Sequence, residues 1–172
     1  MKLAPFRVLY ADPPWKYRHR STGPNSRGGA AAQYPTLSMR EIEEFTLPDL
    51  ADDAFLFLWV TNPVLAEGHH SLICEAWGFQ PQGILTWIKD GIGMGYTLRS
   101  ASEHLVVARK GHPKVKNHGI PSWFKAPRLR HSEKPEEARS IIQKLADGPY
   151  VELFARRASP GWTCLGNEML SQ

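Results

Sequence analysis

The stretch Phe6-Arg7-Val8-Leu9-Tyr10-Ala11-Asp12-Pro13-Pro14-Trp15 decides how the rest of the chain is read. Its first half is an apolar run rich in β-branched and aromatic residues, the pattern of a strand covered on both faces. The run meets an acid and then two prolines, which fix φ and withhold backbone donors, so the strand passes into a stiff turn. Similar runs follow at Phe55-Leu56-Phe57-Leu58-Trp59-Val60, Ile84-Leu85-Thr86-Trp87-Ile88, His104-Leu105-Val106-Val107-Ala108 and Tyr150-Val151-Glu152-Leu153-Phe154. Helix patterns lie between them. Ser38 and Glu41 form a capping-box pair opening Met39 to Phe45. Val64 to Trp77 predicts one helix, with Leu65, Leu72, Ile73, Ala76 and Trp77 on roughly one face and Gly78 as its stop. The last helix has Pro135 in its opening turn, Glu136 and Glu137 beside it, Lys144 near its end and Gly148 beyond. Strands alternating with helices predict a single α/β domain over residues 1–172, with a mostly parallel sheet and helices on both faces.

The composition fits that expectation. A chain of 172 residues, 42% hydrophobic and 22% charged, is the size and mix of one ordinary globular domain. Apolar runs such as Phe55 to Val60 are far too short to span a bilayer, and the start lacks a signal-peptide pattern, so a cytoplasmic protein is expected. Cys74 and Cys164 are expected as free thiols. The histidines lack zinc-ligand spacing with them, so no metal is expected. A net charge of +4 leans toward polyanionic partners. Three long loops stand out, at Lys16 to Pro35, Lys89 to Ser102 and Lys110 to His131. The third carries Lys114, Lys116, Lys125, Arg128 and Arg130 without an acid, interleaved with Trp123 and Phe124, and suits a phosphate backbone with unstacked bases.

Ligands of open α/β sheets bind beyond the carboxyl ends of strands, so Asp12-Pro13-Pro14-Trp15 falls where chemistry is expected. An amine conjugated to an aromatic base is a poor nucleophile because its lone pair is delocalised into the ring. Two acceptors aimed at its hydrogens draw the nitrogen toward tetrahedral geometry and stabilise the charge that develops on attack. Asp12 offers one such acceptor and the Pro13 carbonyl a second, while the flat ring of Trp15 suits an extruded base.

With those residues in place, the chain resembles the MT-A seventy (MT-A70) family of adenine N6-methyltransferases, which includes the catalytic subunit of the eukaryotic messenger-RNA methyltransferase. The matches run in order through Ala11-Asp12-Pro13-Pro14-Trp15, Tyr34-Pro35-Thr36-Leu37-Ser38 and Phe55 to Thr61. They continue through Glu103-His104-Leu105-Val106, Lys110-Gly111-His112-Pro113 and His131-Ser132-Glu133-Lys134-Pro135-Glu136. The last are Glu152-Leu153-Phe154-Ala155-Arg156, Gly161-Trp162 and Leu165-Gly166-Asn167-Glu168. The small size is similar to bacterial or phage members. The resemblance implies a Rossmann-like fold dependent on S-adenosylmethionine, with the catalytic motif ahead of the main cofactor segment. It implies that Lys110 meets the cofactor carboxylate and that Arg156, Asn167 and Glu168 hold its ribose and amino-acid parts. Asp12, Ser132, Lys134 and Ser159 belong to the same implied cofactor set. Tyr34 and Trp15 would flank the target adenine, with Lys16, Arg18, Lys125, Arg128 and Arg130 on the nucleic acid.

The sequence departs from the family in having no Gly-x-Gly-x-x-Gly, in beginning just before the catalytic strand, and in Ala158 where larger members carry a polar cofactor contact. The Asp-Pro-Pro-aromatic turn is also similar to those of cytosine N4- and protein glutamine methyltransferases. A catalytically inactive nucleic-acid-binding scaffold is the reading from another class, and an intact Asp12 and Trp15 weigh against it. DNA is expected over RNA because the domain is minimal. A homodimer or a partner subunit is expected to grip the second strand.

Overall fold

The computed structural model describes residues 4–16, 36–93, 97–129 and 133–166. Seven strands form one sheet: β1 (Phe6–Ala11), β2 (Leu50–Val60), β3 (Gln80–Lys89), β4 (Ser102–Lys110), β5 (Trp123–Ala126), β6 (Tyr150–Leu153) and β7 (Trp162–Leu165). Their spatial order is β5-β3-β4-β2-β1-β6-β7. β1 lies between β2 and β6 and is parallel to both, β6 is parallel to β7, and β3 to β5. β4 is antiparallel to both its neighbours, β2 and β3. The sheet is therefore mostly parallel, with β4 alone reversed among the described strands.

Alternation along the strands builds two apolar layers. Leu9 and Ala11 of β1, with Leu56 and Leu58 of β2, point into one layer together with Ile42, Val64, Ile73 and Cys74. Those four belong to α1 (Met39–Glu43), α2 (Asn62–Ala66) and α3 (His69–Ala76). Val8, Tyr10, Phe57 and Trp59 point to the other face, where Ala138 and Ile142 of α4 (Glu136–Leu145) cover them. Both faces carry helices, as expected of a strand set this apolar.

The helices follow their local signals. Ser38 caps α1 through the expected capping box, with Glu41 returning its carboxylate to the Ser38 N–H at 2.7 Å. The single helix expected over Val64 to Trp77 is instead two, α2 and α3. Gly68 between them is left-handed at φ 74°, a conformation that ends a helix and that glycine adopts without steric cost. Strands β5 and β7 were not expected, and β5 lies inside the third long loop. Cys74 is buried and free, its thiol pushed up to about 12 by burial, and Cys164 is half-buried and free.

Candidate active site

Register fixes where the turn from Asp12 to Trp15 sits. Ala11 pairs with Leu58 on one side and Leu153 on the other, so Asp12 emerges just past the carboxyl edge of three parallel strands. The turn is tied down by its backbone. The Trp15 N–H donates to the Pro13 carbonyl at 2.9 Å, and the Leu37 N–H to the Pro14 carbonyl at 2.9 Å. The Lys16 N–H returns to the Leu37 carbonyl at 3.1 Å. A carbonyl has two lone pairs, so the Pro13 oxygen retains one for a further donor.

Helix α4 delivers the second half of the site. Arg139 of α4 clasps Glu152 of β6 through Nε to Oε2 at 2.9 Å and Nη2 to Oε1 at 2.9 Å, and both are buried. A bidentate pair of this kind fixes orientation as well as position. It lies 5.5 Å from the Tyr10 ring, whose hydroxyl accepts from Trp59 Nε1 at 2.7 Å. Burial pushes the Tyr10 hydroxyl above its ordinary range, so it stays a neutral phenol. With α4 docked against β1 and β6, the residues before it reach the carboxyl edge.

Lys134 is the result. Its Nζ donates to Asp12 Oδ2 at 2.9 Å, stands 3.4 Å from Glu103 Oε2, and lies 5.4 Å from the centre of the Trp59 ring. Glu103 is held on its other oxygen by Lys89 at 2.5 Å. The order Asp12, Lys134, Glu103, Lys89 alternates in charge and sums to zero, with every member largely withdrawn from solvent. Burial alone would lower the Lys134 pKa, but Asp12 and Glu103 together raise it above the ordinary lysine value. Burial alone would raise that of Glu103, and Lys134 with Lys89 bring it below the ordinary carboxylate value.

Beside the quartet, Asn62 donates to the Ser102 carbonyl at 3.1 Å, which directs its Oδ1 to His104 Nε2 at 2.9 Å. Nε2 must then carry the proton, leaving Nδ1 to accept from the Thr86 hydroxyl at 3.1 Å. Burial lowers the His104 pKa, outweighing the nearby charge of Glu103.

The expected residues fall unevenly. Asp12, Pro13 and Lys134 come together. Arg156 follows β6, whose last residue pairs with Ala11, so it leaves the sheet at the same edge as Asp12. Ser159 is buried in the connection to β7, its carbonyl accepting from the Trp162 N–H at 3.1 Å. Lys16 is exposed just past the turn, and Lys125 and Arg128 are exposed on and after β5. Tyr34, Arg18, Arg130, Ser132, Asn167 and Glu168 lie outside the described residues.

Two expectations change. Lys110 closes β4, which runs against its neighbours, and pairs with Ala54. That puts it about 13 Å below the level of Ala11 at roughly 3.3 Å per residue, toward the opposite edge of the sheet from Asp12. Trp15 is 7% exposed, packed in the α1–α3 layer, with its indole N–H donating to the Trp59 carbonyl at 3.1 Å. In this arrangement the ring anchors the turn and offers no open face to a base. Glu103, Lys89 and Trp59 carried no site role in the sequence reading. Their only signal is register, which places Glu103 opposite Trp87, next to Lys89.

The family described as MT-A70 matches residues 6–168 of the chain. The human N(6)-adenosine-methyltransferase catalytic subunit METTL3 is 31% identical over 97% of this chain and 29% of its own length. The N(6)-adenosine-methyltransferase MT-A70-like protein of Drosophila melanogaster is 31% identical over 97% of this chain and 27% of its own. Type II methyltransferase M.MunI from a Mycoplasma species is 32% identical over 95% of this chain and 78% of its own. The chain thus spans less than a third of the first two relatives and most of the third. A match over nearly every described element, including the turn at Asp12 and the segment at Lys134, settles the relationship: the chain belongs to the MT-A70 family.

Proposed function

We propose that this chain methylates the exocyclic N6 amine of adenine in nucleic acid, with S-adenosylmethionine as donor and DNA rather than RNA as substrate. The observation that carries the reading is the Asp12–Lys134 pair beside the Pro13 carbonyl, at the carboxyl edge of β1, in a chain of this family. Lys134 holds Oδ2 of Asp12, which directs Oδ1 to one amine hydrogen while Pro13 accepts the other. Both acceptors are fixed before substrate arrives, so they favour the charged, tetrahedral nitrogen over the conjugated one. The methylated amine is acidic enough to lose its proton without a base of raised pKa.

The donor set suits the cofactor, which supplies an electrophilic methyl group when bound. Lys134 has three N–H donors and places two toward Asp12 and Glu103, leaving one for a carboxylate. Arg156 leaves the neighbouring strand at the same edge. The backbones of Ala155 and Gly166 meet there so closely that a Cβ on Gly166 would collide with the Ala155 carbonyl. Asn167 and Glu168, with Ser132 and Ser159, complete the proposed set.

Lys16, Lys125 and Arg128, with Arg18 and Arg130, would neutralise phosphates without reading sequence. DNA is put forward on the likeness to the type II methyltransferase M.MunI, 32% identical over 95% of this chain. A second copy or a partner subunit gripping the other strand belongs to the same proposal. No helix among the described residues is long and apolar enough to cross a membrane. The test is incubation with labelled cofactor and matched duplex DNA, single-stranded DNA and RNA, followed by nucleoside mass spectrometry. N6-methyladenine formed fastest on DNA is the expected result; faster RNA methylation overturns the DNA assignment, and methylcytosine overturns the adenine assignment.

A further inference from the structure

Of the chain's six tryptophans, Trp15, Trp59, Trp77, Trp87 and Trp162 are buried at 1% to 9% exposure, while Trp123 stands 50% exposed. Its position is rigid. Trp123 opens β5, paired with Thr86 of β3, and the Thr86 N–H donates to the Ser122 carbonyl at 2.9 Å. Phe124 and Ala126 on the opposite face are buried in the α4 layer, and the Trp87 indole donates to the Ala126 carbonyl at 2.9 Å. Alternation then puts Trp123 and Lys125 together on the other face, both exposed. Past the strand, the Arg128 N–H is held by Asp90 at 2.7 Å. No acidic residue occurs between Lys110 and Arg130.

Direction matters as much as exposure. β5 is parallel to β3, so its carboxyl end meets Lys89, the last member of the charge-alternating quartet that begins at Asp12. Four strand spacings separate β5 from β1, about 19 Å at roughly 4.8 Å each. That is a lower bound of about five or six nucleotides of a stacked strand at about 3.4 Å per nucleotide, because Trp123 faces away from the α4 layer on which Trp59 and Lys134 lie. A flat ring with an adjacent ammonium and no neighbouring acid suits a base lying on the ring and its phosphate on the lysine.

We propose that Trp123 and Lys125 form a stacking platform for the substrate strand at least about five or six nucleotides from the target adenine, a role that rests on the nucleic-acid reading above. The platform binds and positions; it takes no part in methyl transfer.

The test uses end-labelled single-stranded oligonucleotides carrying one adenine, with flanks of about two or about ten nucleotides on each side. Affinity is read by fluorescence anisotropy for wild type, Trp123→Ala, Trp123→Phe and Trp123→Leu. Trp123→Ala and Trp123→Leu should bind the long oligonucleotide about tenfold more weakly, and Trp123→Phe near normally. All should bind the short one alike, with KM shifted on the long substrate and kcat unchanged. Because phenylalanine and leucine are both apolar, their difference reports stacking even where alanine impairs folding. Equal affinity of the phenylalanine and leucine variants for the long oligonucleotide overturns the proposal. Weakened self-association with unchanged anisotropy also overturns it and gives the face to a protein partner. Anisotropy needs no turnover, so a wild-type protein that fails to methylate adenine counts against the catalytic reading and leaves this one to be decided by binding.

Discussion

Lys134 stands between two carboxylates, and its removal leaves Asp12 and Glu103 facing one another without the cation that separates them. Lys134→Met keeps the length of the side chain and deletes the charge. Cofactor affinity measured by calorimetry is expected to fall about tenfold or more, the scale of losing one charge-assisted hydrogen bond. Unchanged affinity would remove Lys134 from the cofactor set. At this scale the sequence was informative where local chemistry is enough. An acid followed by two prolines after an apolar strand announces a stiff, acceptor-rich turn wherever it occurs. It was uninformative for Trp15, because a lone aromatic after such a turn has no periodicity to say which way it faces. The Trp59 carbonyl that takes its indole hydrogen is distant in sequence. The quartet partners Glu103 and Lys89 stayed hidden for the same reason, since their proximity is a property of strand register.

Strand direction is the lesson among the elements. Lys110 was named for the cofactor by the family resemblance alone, which says nothing of the direction in which β4 runs. The connection from β3 to β4 offered the correction, because Asp90 to Ala101 has no helix pattern, and a parallel return needs a crossover that is usually helical. The break at Gly68 was legible in principle, since a glycine stood in the middle of the expected helix. β5 was not, being a four-residue strand inside a basic loop. The strand and helix ends around His104 and Glu103 carry a pH signature. Both groups have folded pKa values below their ordinary ones, so each contributes stability that is complete above its ordinary pKa and is lost as pH falls through the folded value. Lys134 is raised, so its contribution is complete below the ordinary lysine pKa and is lost as pH rises through the folded value. Thermal stability should hold level between about pH 6.5 and about pH 8.5, above which the buried Cys74 thiol resists the ionisation open to the unfolded chain, and fall on either side. His104→Gln should reduce the loss that begins below about pH 6.5, to which His70 also contributes, and leave the steeper one below the carboxylate range. Calorimetric Tm against pH reads both, and an unaltered acid limb in that variant would contradict the assignment of His104.

On the scale of the whole molecule, the sheet sets a division of labour between its two edges. The carboxyl edge gathers Asp12, Lys134, Arg156 and the end of β5, while Lys110 lies toward the other. The α/β class and mostly parallel sheet were readable because each strand run and each helix signal agreed with the others. Substrate grip by Lys125 and Arg128 should be electrostatic. Reversing both to glutamate should weaken binding alike across sequences and flatten the salt dependence by about two phosphate contacts. Weakening confined to one sequence context would instead mean base readout. The central claim is that the acceptors at the turn carry the chemistry, and the direct measurement is N6-methyladenine formed per enzyme by wild type and Asp12→Ala at saturating cofactor and DNA. The account predicts a rate at least about a hundredfold lower in the variant at saturating cofactor, beyond any loss of Tm from breaking the Asp12–Lys134 pair, which Glu103 only partly offsets. A variant that turns over within a few-fold of wild type would contradict it.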